Sequence, residues 1–211
     1  ERIFEGVRKR DMKKVFIDGS AGTTGLRIYE RLSLRTDVQV LFLPEEKRKD
    51  IAARKEILNS VDIAFLCLPD DAAREAVSLV ENPNVTIIDA STAHRTLPDW
   101  AYGFPELSEA HEEKILSSKR IANPGCHASG FVALVQPLVA NGLLSPDAAL
   151  SCVSLTGYSG GGKKMIAEYE EQGRDVLLDA PRVYGLSQTH KHLPEMQALS
   201  RLTHAPVFLP T

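Results

Sequence analysis

Lys14-Val15-Phe16-Ile17-Asp18, running into Gly19-Ser20-Ala21-Gly22-Thr23-Thr24-Gly25, is the stretch that decides the fold. The first five residues read as a short buried strand and the glycines as a tight turn. Leu26, Tyr29 and Leu32 then recur at helical spacing. Strand, glycine-rich turn and helix form the context in which such glycines mean dinucleotide binding. The first glycine allows the turn. The second lets backbone N–H groups approach a pyrophosphate at the helix N-terminus, and the third allows close helix–strand packing. Cofactor contacts are therefore expected from Gly19, Gly22, Thr23, Thr24 and Gly25. The spacing is G-x-x-G-x-x-G rather than the commoner G-x-G-x-x-G, so a plain tight βα turn stays open as the alternative.

Downstream, the alternation continues. Asp37 to Leu43 reads as a second strand, Ile51 to Leu58 as a helix, and Val61 to Leu68 as a third, nearly all-apolar strand. Ala72, Ala76, Leu79 and Val80 mark a further helix, and Val85 to Asp89 a fourth strand. This βαβ pattern predicts a Rossmann-like, doubly wound parallel α/β sheet, whose ligands bind at the C-terminal strand ends. The segments there are the glycine turn, Leu68-Pro69-Asp70, and Ala90-Ser91-Thr92-Ala93-His94-Arg95, so Pro69 and Ser91 join the cofactor candidates. After the second strand comes Pro44-Glu45-Glu46-Lys47-Arg48-Lys49. The cations, Arg48 among them, suit a 2′-phosphate and favour NADP, while Glu45 or Glu46 could serve an NAD ribose. Arg95 with Ser91 suits a phosphate or carboxylate clamp, or else a surface salt bridge. Cys67 lies inside a strand and reads as core.

In the second half, Pro98 to Leu107 is irregular and Ser108 to Ser118 reads as a polar helix. Ile121-Ala122-Asn123-Pro124-Gly125-Cys126 is then a strand end, a turn and a helix start. Phe131, Val132, Leu134, Val135, Leu138 and Val139 continue that helix. A helix N-terminus favours the thiolate, the nucleophilic form of cysteine, while a buried, inert cysteine stays open as the alternative. Ala149 to Thr156 alternates like a half-buried strand. Gly157 to Lys164 is a second glycine-rich loop, placing Ser159, Gly160 and Gly161 among the cofactor candidates, and Met165 to Gln172 follows as a helix. His190 and His192 stand two apart, with Glu195 three further on. A histidine oriented by a glutamate suits general acid/base work better than metal binding, for which no third ligand is evident. The expected division is a tail at 1–12, with Met12 as a natural start, a nucleotide-binding domain at 13–125 and a catalytic domain at 126–211.

Composition bounds the function. The chain has 211 residues, 43% hydrophobic and 25% charged, with a formal net charge of −3. No lysine–arginine stripe points to nucleic acid, and no apolar run reaches the roughly 18 residues of a membrane span. Three widely spaced cysteines make neither a disulfide framework nor a zinc site. No apolar leader is visible, so a reducing cytoplasm is the expected compartment.

Nucleotide fold, cysteine in a turn, and later histidine with glutamate are the parts needed to reduce an acyl group through a thioester. In order, Phe16-Ile17-Asp18-Gly19 with Thr23-Thr24-Gly25, Leu68-Pro69-Asp70, Asp89 to Arg95, Tyr102 to Leu107, Asn123 to Cys126, Gly157 to Lys164 and His190 to Glu195 resemble the N-acetyl-gamma-glutamyl-phosphate reductases, in particular their shorter, second-type branch. The resemblance implies an arginine-pathway oxidoreductase that reduces N-acetyl-glutamyl 5-phosphate to the semialdehyde with NADPH, releasing phosphate. It implies a semialdehyde-dehydrogenase-like α+β second domain and a homo-oligomer, dimer or tetramer. By the family pattern Cys126 is the nucleophile. His192 takes the acid/base role with Glu195 as its orienter, and His190 becomes a substrate contact, although the two histidines could exchange roles. Arg95 and Asn123 hold phosphate or the acyl group. Two departures stand out: His127-Ala128-Ser129 replaces the family's frequent Tyr-Pro-Thr, and the chain stops at Thr211, short of a full member, which implies an incomplete catalytic domain. The rival readings are an aspartate-semialdehyde dehydrogenase and a non-catalytic NADP-binding protein on the same fold.

Overall fold

A computed structural model describes residues 12–20 and 22–211. All of the expected tail except Met12 lies outside the described residues. In chain order the elements are β1 (Lys13–Asp18), α1 (Thr23–Leu32), β2 (Val38–Leu41), α2 (Ile51–Ser60), β3 (Ile63–Leu66), α3 (Asp70–Ser78), β4 (Thr86–Asp89), β5 (Ala101–Tyr102), α4 (Glu109–Ser117), β6 (Arg120–Ala122), α5 (Cys126–Ala140), β7 (Ser151–Ser154), α6 (Gly162–Glu170), α7 (Leu193–Ser200) and β8 (Val207–Pro210). The chain separates into two units. One comprises the described residues up to Ala93 with Lys119–Ile121; the other comprises His94–Ser118 with Ala122–Thr211.

In the first unit β1 runs parallel to β2 and β3, with Val15 opposite Val40 on one side and Ile63 on the other. β4 continues the sheet parallel to β3. The Ile87 N–H donates to the Lys119 carbonyl at 2.9 Å, which brings the start of β6 alongside. Each parallel step needs a crossover helix, and α1, α2 and α3 supply them. Val15, Phe16, Ile17, Leu58, Ala64, Leu66, Ala73, Ala76 and Ile87 form the core. Asp50 caps α2 through its side chain, which accepts from the Ala52 and Ala53 N–H groups at 2.8 and 3.1 Å.

The strands are shorter than the apolar runs that announce them. β2 stops at Leu41 although Phe42 and Leu43 continue the run; those two leave the ladder to line a pocket. β3 stops at Leu66, so Cys67 lies just past the strand, half-buried, not within it. Burial pushes its thiol up to about 11.

The second unit is built around α5 against α7. Ala128, Phe131, Val132, Val135 and Val139 of α5 close on Leu193 and Met196 of α7, with Leu202 and Phe208 completing the cluster. β7 and β8 pair in parallel, Cys152 opposite Phe208. Short β5 lies beside the end of β6, the Gly103 N–H donating to the Ala122 carbonyl at 2.8 Å. The second glycine-rich loop forms a 3-10 turn (Tyr158–Gly161) leading straight into α6.

Candidate active site

In the first unit the glycine turn is sterically determined. Gly19 has φ +85°, and a Cβ there would stand 2.3 Å from the Cys67 carbonyl oxygen. Only glycine fits such a backbone. Gly25 is buried, and a Cβ on it would meet the Gly19 oxygen at 2.6 Å, so α1 packs directly on its own entry turn. Gly22 is the N-cap of α1, and Thr23 and Thr24 open the helix. Behind the turn, buried Arg54 of α2 donates to Asp18 from Nη2 at 2.9 Å and to Glu75 of α3 from Nη1 at 2.6 Å. This ties the end of β1 to two helices. Burial raises the Asp18 carboxyl even against its arginine partner.

A pocket of about 130 Å³ opens at this turn, lined by Asp18, Gly19, Ser20, Phe42, Leu43, Arg48 and Leu68 among others. Apolar walls, a glycine cradle and one arginine are a fitting set for a phosphorylated nucleoside. Arg48 Nη1 pairs with Glu45 at 2.7 Å, both side chains exposed. Pro69 is the N-cap of α3. Ser91 is buried, its hydroxyl donating to Asp89 at 2.6 Å. Ser159, Gly160 and Gly161 lie exposed in the 3-10 turn of the second unit.

The cysteine turn is held from beneath by one carboxylate. Gly125 is the N-cap of α5, and Cys126, exposed, is its first residue. Glu195, 1% exposed, accepts on Oε1 from the Gly125 N–H at 2.7 Å and from the Tyr102 hydroxyl at 2.7 Å. On Oε2 it accepts from Arg95 Nη1 at 3.1 Å. Arg95 Nε donates to the Asn123 carbonyl at 2.9 Å. Both residues flanking Pro124 are thus tied, directly or through Arg95, to one side chain of α7. The Asn123 side chain is exposed and donates to the Pro124 carbonyl at 3.2 Å. Gly125 has no room for a side chain: a Cβ would lie 2.5 Å from both Arg95 Nη1 and His192 Nε2.

Two expectations need correction. Glu195 does not orient His192. Its carboxylate is taken by Tyr102, Gly125 and Arg95, while His192 Nδ1 is buried without a hydrogen-bond partner among the described residues. Nor does Arg95 present an open clamp. It is 8% exposed and two of its donors brace the cysteine turn. Both side chains support the turn.

The histidines form a cluster. His192 is 4% exposed with its Nε2 edge against Gly125. Burial, then the nearby Arg95 charge, pushes its pKa down to about 3, so its ring is neutral at working pH. His190 Nδ1 accepts from the His192 backbone N–H at 3.2 Å, which places the ring proton on Nε2. Burial, then the neighbouring charge of His127, lowers His190 as well. His127 lies 5.9 Å from His190 and 5.6 Å from His192 between ring centres. Its Nδ1 meets Ser154 Oγ at 2.7 Å and its Nε2 meets Tyr184 Oη at 3.1 Å. Sequence reasoning passed over Tyr102, Ser154 and Tyr184 as site residues. Tyr102 sits within a stretch that carried the family resemblance; Ser154 and Tyr184 carry no local signal. Among the described residues no group of three or more His, Cys, Asp or Glu side chains is arranged to hold a metal ion. No helix among them is long and apolar enough to cross a membrane.

This arrangement has relatives. Residues 14–115 match the family model for the semialdehyde dehydrogenase NAD binding domain, and residues 126–211 that for the semialdehyde dehydrogenase dimerisation domain. The chain is 52% identical over 197 residues to N-acetyl-gamma-glutamyl-phosphate reductase of Chelativorans sp. (strain BNC1), covering 93% of this chain and 63% of that protein. It is 52% identical over 196 residues to N-acetyl-gamma-glutamyl-phosphate reductase 2 of Pseudomonas putida, covering 93% and 62%. The chain thus spans somewhat under two thirds of the length of these curated relatives. Among solved structures, aspartate semialdehyde dehydrogenase II of Vibrio cholerae, complexed with ASA, superposes with a TM-score of 0.61 at 19% identity over 95% of this chain and 70% of that one. The Candida albicans aspartate semialdehyde dehydrogenase with NADP gives 0.60 at 17% identity over 95% and 68%. At these identities the structures show the fold; the two family models, which together span residues 14–115 and 126–211, show that the chain belongs to the semialdehyde dehydrogenase family, and within it the sequence is similar to N-acetyl-gamma-glutamyl-phosphate reductases over 93% of its length.

Proposed function

We propose that this chain carries the nucleotide-binding and nucleophile-bearing parts of an enzyme that reduces N-acetyl-glutamyl 5-phosphate to N-acetyl-glutamate 5-semialdehyde, with release of phosphate, in arginine biosynthesis. The observation that carries the proposal is the cysteine turn: an exposed thiol at the start of a 15-residue helix, on a backbone fixed by Glu195 and packed against a neutral His192. The functional division proposed is 13–125 for the nucleotide and 126–211 for substrate and self-association, in a homo-oligomer.

The Cys126 thiolate adds to the acyl-phosphate carbonyl, and collapse of the adduct expels phosphate and leaves a thioester on Sγ. NADPH, when bound, supplies the hydride that reduces this thioester. The resulting thiohemiacetal breaks its C–S bond to release aldehyde and return the thiolate. Gly19, Gly22, Thr23, Thr24 and Gly25 would hold the pyrophosphate, Pro69 and Ser91 would shape the strand ends, and Arg48, paired with Glu45 in this structure, would meet the 2′-phosphate. Ser159, Gly160 and Gly161 remain further cofactor candidates, although the Gly160 N–H already donates to the Gly157 carbonyl at 3.2 Å within the 3-10 turn. His192, neutral at working pH, serves as a hydrogen-bond donor and transient proton acceptor at the reacting oxygen, not as a standing cation. His190, with its proton on Nε2, and Asn123 are left to contact substrate.

The test is the reverse reaction in the full-length protein that carries this chain. N-acetylglutamate semialdehyde, NADP and phosphate are supplied and NADPH absorbance is followed. A phosphate-dependent signal abolished by Cys126→Ser is expected. Activity confined to aspartate semialdehyde would move the reading to the sister dehydrogenases. A flat trace from folded, NADP-binding protein would overturn it.

A further inference from the structure

His127 is the residue the proposed mechanism leaves unused. It follows the nucleophile directly in sequence, and its ring is the centre of a hydrogen-bonded chain: Ser154 Oγ at 2.7 Å on Nδ1, Tyr184 Oη at 3.1 Å on Nε2. Phe208 packs edge-on against the ring at 5.2 Å, and Tyr184 is pinned through its backbone N–H to the Pro210 carbonyl at 2.9 Å. The phenol is therefore fixed at both ends. It stays 39% exposed, and Cys126, the residue just before His127, is exposed too.

A neutral imidazole couples its two partners. When Ser154 donates to Nδ1, the ring proton sits on Nε2 and donates to Tyr184 Oη. The Tyr184 O–H is then released to donate elsewhere. We propose that Tyr184 is the hydrogen-bond donor to the carbonyl oxygen of the acyl group that Cys126 attacks, and that His127, braced by Ser154, is the residue that positions it. In the step concerned a sulfur lone pair forms the C–S bond and the carbonyl π pair moves onto oxygen. Tyr184 donates a hydrogen bond to that oxyanion without giving up its proton. The pair then returns, re-forming C=O and expelling the leaving group. Burial, then the charge of the Cys126 thiolate, raises the Tyr184 phenol, so it remains a donor when the thiolate forms. The inference rests on the proposed acyl transfer to Cys126 but not on the identity of the acyl group.

The test compares two reactions of one thiol in this chain and in the full-length protein. p-Nitrophenyl acetate acylates Cys126 through an oxyanion, and iodoacetamide alkylates it without one. Both products are mapped to Cys126 by mass spectrometry, with Cys126→Ser as background and Trp100 fluorescence as the check of folding. Tyr184→Phe and His127→Phe, which keeps a ring against Phe208, are each expected to lower the acylation rate about tenfold, the worth of one hydrogen bond in a transition state. Alkylation should change less than about twofold, and the double variant should lose no more than either single one. Ser154→Ala, the mildest change, should show a smaller loss in the same direction. An unchanged ratio of acylation to alkylation, or a parallel fall in both rates, overturns the proposal. The reductase assay separates the two readings. If wild type lacks reductase activity but the ratio responds, the proposed substrate fails and Tyr184 stands. If wild type reduces substrate and the ratio does not respond, Tyr184 fails and the function stands.

Discussion

Replacing Glu195 with alanine tests the account of the cysteine turn most directly. The carboxylate is 1% exposed and accepts from three groups: the Gly125 N–H and Tyr102 hydroxyl, each at 2.7 Å, and Arg95 at 3.1 Å. Removing it takes this carboxylate from a guanidinium that is 8% exposed and strips a partner from two buried neutral donors. Breaking a buried ion pair from one side costs about 3–5 kcal/mol, because the surviving charge stays desolvated. Tyr102→Phe removes one donor to a charged group and leaves the pair intact, at about 2 kcal/mol. Glu195→Gln keeps the shape, loses the charge and should fall between them. Trp100, the sole tryptophan, reads the transition: it is buried in the same unit and stacks on His94 at 4.1 Å between ring centres. Urea unfolding followed by its fluorescence should order the variants as wild type, Tyr102→Phe, Glu195→Gln, Glu195→Ala. A loss below about 1 kcal/mol for Glu195→Ala, or a greater loss for Tyr102→Phe, would refute the reasoning.

Two further outcomes follow from groups whose environment is already described. The folded-state pKa of His192, about 3, lies below its ordinary 6.5, so on acidification the unfolded chain takes the proton first. Its stabilisation is complete above about pH 6.5 and declines as pH falls toward about 3, costing roughly 2.5 kcal/mol at about pH 4.5. His190 and His127 are shifted the same way and steepen the decline. Urea midpoints measured against pH should fall over this window and fall less in His192→Phe; a flat wild-type profile would sink the argument. In the first unit, Arg54→Ala leaves Asp18 buried without that partner and should cost about 3–5 kcal/mol. Hydrogen exchange of the β1 and α2 amides is the suitable reading, since Trp100 lies in the other unit, and unchanged protection there would contradict the role given to Arg54.

How much of this was legible in the sequence follows the reach of each interaction. The parallel sheet was readable because its determinants are local: apolar runs of strand length, glycines in the turn after β1, and helical spacing after the turn. Strand ends were overread for a related reason. Phe42, Leu43 and Leu68 look like ladder residues, yet they lie past the strand ends and line a pocket there, and hydropathy alone cannot tell a sheet position from a pocket wall. Glu195 failed differently. A carboxylate three residues after a histidine invites a local pairing, but His192 is only the N-cap of α7, while the helix buries Leu193, Glu195, Met196 and Ser200. Its real partners stand 70, 93 and 100 positions away, and no periodicity announces contacts of that span. One physical cue was available. The apolar pattern that puts Leu193 and Met196 inside draws Glu195 in with them, and a buried carboxylate requires charged or strongly polar donors. An imidazole held neutral by the same burial is a poor donor for that purpose. A guanidinium is a good one, and Arg95 had already been singled out for its affinity for carboxylates. Burial, applied to both members of the supposed pair at once, separates His192 from Glu195 and sends the carboxylate to the arginine beneath the nucleophile's turn.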